Sequence, residues 1–176
     1  MTKGSNSTEV DQVLESYFGE DYIRRLSGIN DLSEVGVLTL KFDSSVQSIL
    51  HLGEMLPNLR CLHLSGSKLA SVRDLGIHLR HIKELHLDEC SLVDLDGMGA
   101  IQDLSVLSVR NNYISDVTPL AMLEFLEVSS FTSNNISINE TATLFSHPVF
   151  VIRIWILPAT KFLISRLQIL CHHVHV

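Results

Sequence analysis

The sequence predicts an α/β solenoid, a right-handed stack of short repeats with a parallel sheet on its concave side and helical or 3₁₀ segments on its convex side. Three observations carry this expectation. Aliphatic residues return every 22 to 24 positions. Each unit contains an apolar–x–apolar core, the period of a strand with one buried face. The 176-residue chain is 45% hydrophobic but only 6% aromatic, so its core must be aliphatic.

Residues 1–28 come first and read as an N-terminal capping region. Thr8 and Asp11 resemble a capping box. Val10, Val13, Leu14, Tyr17 and Phe18 follow at i, i+3, i+4, i+7, i+8 spacing, and Gly19 is placed to end that helix within a helical stretch over 7–28. Its expected task is to cover the open N-terminal edge of the stack.

The repeats occupy 29–137, about four to five units. The slots Leu104, Leu107, Val109, Asn112, Ile114, Val117 and Leu120 are refilled 22 positions earlier by Ile82, Leu85, Leu87, Cys90, Leu92, Leu95 and Met98. A further 23 positions back they hold Leu59, Leu62, Leu64, Ser67, Leu69, Val72 and Leu75. Val35, Leu38, Leu40 and Asp43 form a fainter first copy, and Leu126, Phe131, Asn134 and Ile136 a weak last one. The Asn/Cys/Ser slot falls where the chain leaves the strand. An Asn there can pair backbone groups that the turn would otherwise bury unsatisfied, each worth ~1–3 kcal/mol. Asn112 can do this fully, Ser67 and Cys90 only partly. Leu92, Leu95, Met98 and Ile101 step by three, the return path. After Val128 the pattern fades: Ser129 and Ser130 stand where strand-core residues belong, and the register of Asn134 is read as coincidental. Residues 138–176 then read as a divergent hydrophobic tail, expected to be a substitute end of a shortened or read-through isoform.

Composition narrows function. A net charge of −7 with no basic run argues against nucleic acid, whose binders need clustered Lys and Arg. No uninterrupted apolar stretch reaches the ~18 residues of a membrane span, and Met1–Thr8 lacks the apolar core of a secretory signal. Cys61, Cys90 and Cys171 are too scattered for a disulfide framework, which points to a reducing, cytoplasmic setting. The glycosylation-like triplets at Asn6, Asn135 and Asn139 then carry no weight.

Strand alternation turns Cys61, His63 and Ser65 outward beside Glu84, His86 and Asp88, then Val106, Ser108 and Arg110. The expected protein-docking face comprises Lys41, His63, Ser65, Glu84, His86, Asp88, Glu89, Ser108, Arg110, Asn111 and Tyr113. A plain solvated surface is the alternative. Tyr113 either packs inward or stands on the rim as an interface anchor. Cys61, His63 and His86 are the right types for a metal, yet they lack a local C-x-x-C or H-x₃-H spacing, so no metal or cofactor is expected. The terminal run Cys171–Val176, rich in His, is read as incidental. No nucleophile–base set, phosphate loop or carboxylate pair stands out, so catalysis is not expected.

The segments LPNLRCLHLSGSKLASVRDLG (56–76), ECSLVDLDGMGAI (89–101) and NNYISDVTPLAMLEFLEV (111–128), with LSGINDLSEVGVLTLKFD (26–43), resemble the short intracellular leucine-rich repeats of phosphatase regulators and axonemal proteins. Within that group they look most like a ciliary family tied to assembly or transport of outer dynein arms. The likeness covers roughly residues 11–128. It implies a leucine-rich-repeat solenoid acting as a non-catalytic scaffold in cytoplasm and cilium, with dynein-arm or intraflagellar transport components as partners. Two other readings stay open: a regulatory subunit of a phosphatase-like enzyme, and a truncated isoform without independent activity.

Overall fold

A computed structural model describes residues 18–136 and 153–155. The repeats stack as expected. Strands β1 (Val37–Thr39), β2 (Cys61–His63), β3 (Glu84–His86), β4 (Val106–Ser108), β5 (Val128–Ser130) and β6 (Arg153–Trp155) form one parallel sheet in chain order. Leu38, Leu62, Leu85, Leu107 and Ser129 lie in register, one to a strand. All five point inward and are buried. The ladder runs one repeat to the next beyond each short strand, through Leu40 N–H to His63 O, Leu64 N–H to His86 O, Leu87 N–H to Ser108 O and Val109 N–H to Ser130 O.

The opposite side returns through a short helix, α2 (Leu52–Met55), and 3₁₀ turns at Val72–Leu75, Met98–Ala100 and Thr118–Met122. Ser71 and Asp74 cap the first of these turns reciprocally, and Pro119 stands second in the last. Leu92, Leu95, Met98 and Ile101 are all buried, so the step of three does face the core. At Gly53 a Cβ would fall on the His78 carbonyl, so neighbouring repeats meet there backbone to backbone.

The cap differs in one detail. Helix α1 spans Glu20–Ser27, and Gly19 precedes it as the N-cap in an extended conformation rather than ending a helix. Ile23 is fully buried, and Phe18 meets Phe42 of the first repeat edge to face at 6.1 Å. The helix proposed for residues 7–17 lies outside the described residues.

The last repeat is better formed than the sequence suggests. Asn134 accepts a hydrogen bond from Ile114 N–H at 3.1 Å and donates to the carbonyls of Val109 and Phe131 at 2.7 and 3.1 Å. It therefore does the work of Asn112, and its register is structural rather than coincidental. Phe131 fills the second core slot at 1% exposure. Ser129 occupies the first, fully buried, and its hydroxyl has no hydrogen-bond partner among the described residues. Strand β6 adds to this edge from within the segment read as a divergent tail, pairing Ile154 with Ser129. The rest of residues 138–176 lies outside the described residues.

One backbone feature recurs. Gly66, Glu89, Asn111 and Ser133 occupy the same slot in successive repeats, with φ of 76°, 58°, 54° and 60°. Each is left-handed because the chain must turn sharply off its strand while keeping the ladder bond, as in Glu89 N–H to Arg110 O. A left-handed residue with a Cβ costs ~1–2 kcal/mol, and glycine loses ~0.5–1 kcal/mol more backbone entropy on folding. The first term is the larger. Glu89→Gly is expected to raise stability by ~0.5–1 kcal/mol in a urea melt, and a loss of stability would refute that balance.

Candidate protein-docking face

In β1 to β4 every second side chain faces away from the core, which lays the outer surface out in three rows. The first row runs Val37, Cys61, Glu84, Val106. The second runs Thr39, His63, His86, Ser108, Ser130. The third, just past the strands, contains Lys41, Ser65, Asp88 and Arg110.

The centre of the face is the expected histidine pair. His63 and His86 stack at 4.3 Å between centroids with an interplanar angle of 18°. The Cys61 sulfur lies 3.2 Å from His63 Nε2 and 3.6 Å from a Glu84 carboxylate oxygen. Burial, reinforced by the Glu84 charge, pushes the Cys61 thiol up to about 11, so it stays protonated at neutral pH. Burial pulls His86 below the usual imidazole range, and the neighbouring His63 pulls the same way.

Asp88 and Ser108 are not free surface. The Asp88 carboxylate accepts from Ser108 Oγ at 2.6 Å, Arg110 N–H at 2.7 Å, and Arg110 Nε and Nη2 at 3.0 and 2.7 Å. Burial alone would raise its pKa, but the bonds from Arg110 and Ser108 outweigh it and hold the carboxyl below the ordinary range. Both residues are buried, whereas Arg110 keeps half of its side chain in solvent. The pair is a braced post: Asp88 fixes where the guanidinium stands.

The other expected members distribute as follows. Lys41, Glu84, Glu89, Asn111 and Tyr113 are exposed, while Ser65, His63 and His86 are half-buried. Asn111 Nδ2 reaches a Glu89 carboxylate oxygen at 3.4 Å, joining two adjacent turns at the rim. Tyr113 is 60% exposed, so it stands on the rim and does not pack inward. Sequence reading missed Val37, 61% exposed on the edge strand of the first row. The available signal was a valine in an outward slot, one position ahead of the buried Leu38.

No protein-family profile matches the chain. It is similar to leucine-rich repeat-containing protein 56 of Homo sapiens, 39% identical over 126 residues, covering 72% of this chain and 23% of that protein. The Mus musculus protein of the same name is 43% identical over 114 residues, 65% of this chain and 21% of its own. The homolog from Trypanosoma brucei brucei is 26% identical over 138 residues, 77% and 18%. The chain thus spans about a quarter or less of these relatives' length. Among solved structures, a Leptospira interrogans LRR protein superposes with a TM-score of 0.50 at 27% identity, over 57% of this chain and 26% of that one. A Listeria monocytogenes internalin gives 0.51 at 16% identity over 72% and 44%, which speaks to the fold alone.

Proposed function

Because this chain belongs to the leucine-rich-repeat proteins and is homologous over about 70% of its length to leucine-rich repeat-containing protein 56, we propose that it is a non-catalytic scaffold docking a protein partner on the outer sheet face. The observation that carries the reading is the braced Asp88–Arg110 post beside the stacked histidines, flanked by exposed Val37 and Tyr113. A fixed charge spends little conformational entropy on binding, and exposed aromatics at a rim are common anchors. No helix among the described residues is long and apolar enough to cross a membrane.

The finer reading rests on the repeat phrases around SVRDLG and LDG: partners among outer-dynein-arm or intraflagellar transport components, met in cytoplasm and cilium. Capture by the full chain from ciliated cells tests both layers. Tyr113→Ala and Val37→Glu are expected to lower recovery of a dynein-arm or transport subunit by ~10-fold, as for loss of an interface anchor. Met122→Glu, on the return path, is expected to leave recovery unchanged. Undiminished capture by both face variants would remove the docking face, and recovery of neither class of subunit would remove the ciliary assignment.

A further inference from the structure

The same face carries a chemistry that docking does not use. Cys61, His63 and His86 each offer one ligand atom, and these atoms all lie within 4.8 Å of one another. They belong to two strands 23 positions apart, brought together by the register that sets Cys61 opposite Glu84 and His63 opposite His86. The missing local spacing is therefore no objection, because the repeat period does the work that a C-x-x-C loop does elsewhere.

We propose that Cys61, His63 and His86 bind a zinc-type divalent cation, with the Glu84 carboxylate as the nearest candidate for the fourth position. Thiolate plus two imidazoles is a donor set suited to Zn²⁺ and poor for Mg²⁺ or Ca²⁺, which take hard oxygen ligands. Ligands ~2.0–2.3 Å from a shared tetrahedral ion stand about 3.3–3.8 Å apart. The Cys61 sulfur and His63 Nε2 are already at 3.2 Å. The remaining atoms need to close by about an ångström, within the reach of χ rotations on half-buried rings. Glu84, 3.6 Å from the sulfur, also brings a negative charge to the site. On binding, the Cys61 S–H proton leaves to solvent as the S–metal bond forms, so uptake of the ion releases a proton.

Histidines and a cysteine also crowd the tail, so the test separates the two sources. The full chain and a variant carrying Cys171→Ser, His172→Ser, His173→Ser and His175→Ser are titrated with Zn²⁺ against a chromophoric chelator, then with Co²⁺ as an optical probe. The expected result is one site tighter than micromolar in both proteins, with a thiolate-to-cobalt charge-transfer band. Cys61→Ser should abolish the band, and His86→Gln should weaken Zn²⁺ by at least ~10–100-fold. The proposal is overturned if the band survives Cys61→Ser, if it vanishes with the tail substitutions, or if nothing binds tighter than micromolar. The cobalt band of the unsubstituted chain reads sulfur ligation even where a variant folds poorly. No protein partner enters the experiment, so its outcome is independent of the docking reading.

Discussion

Asn112→Ala is expected to cost ~3–5 kcal/mol, a large part of the ~5–15 kcal/mol that holds a domain of this size. The side chain is buried at 3% exposure and fully engaged. Its carbonyl oxygen accepts from the amides of Cys90 and Leu92, both at 3.0 Å. Its amide donates to the carbonyls of Leu87, Val109 and Arg110 at 2.8, 2.9 and 3.2 Å. Alanine strands two amide donors away from water, each worth ~1–3 kcal/mol, and leaves the carbonyls short of a donor as well. A thiol in that slot shows what a partial replacement does. Cys90, one repeat earlier, makes sulfur contacts of 3.3 and 3.4 Å to the carbonyls of Leu64 and Asp88 and is approached by the amides of Gly66 and Ser67, all weaker bonds than a carboxamide makes. Asn112→Cys should therefore fall between wild type and alanine. Urea melts give the size, and amide exchange gives the place: protection should drop first in the turns after β3 and β4, the two repeats that Asn112 joins. An alanine variant that melts with the wild type would mean that water reaches this turn.

How much of this was legible beforehand follows from what each feature depends on. Stacking, register and the His63–His86 contact depend only on the period and on strand alternation, both of which are written in Leu62, Leu85 and Leu107. The fifth unit was misjudged because Ser129 breaks the leucine pattern. Yet the backbone ladder needs no particular side chain, and Phe131 with Asn134 supplies the next core slot and the turn. Gly19 was misread because a glycine can stand at either end of a helix, and only its extended backbone decides which. The left-handed slot was hidden because Glu89, Asn111 and Ser133 share no residue type with Gly66. The bracing of Asp88 was hidden for a different reason. Alternation predicts that Asp88 and Arg110 are neighbours, but not that one is buried by the other.

That bracing sets the second large effect. Asp88→Ala is expected to destabilise by ~2–3 kcal/mol, less than the ~3–5 kcal/mol for splitting a fully buried ion pair, because the Arg110 guanidinium keeps access to water. The loss comes from a Ser108 hydroxyl and an Arg110 amide left without acceptors. Arg110→Glu would test the fold rather than docking, since it sets a carboxylate against Asp88; the exposed Tyr113 is the cleaner probe. Acid titration isolates the charge. The Asp88 carboxyl is held below its ordinary value of 3.8, so its contribution is fully present above that value and is lost as pH falls through the lower folded value. Asp88→Asn should thus be less stable than wild type at neutral pH. The gap between the two melts should narrow below pH 3.8, where the wild-type carboxyl takes up its proton in the unfolded chain first. A gap that stays constant from neutral pH into strong acid would show that Asp88 is held by shape and not by its charge.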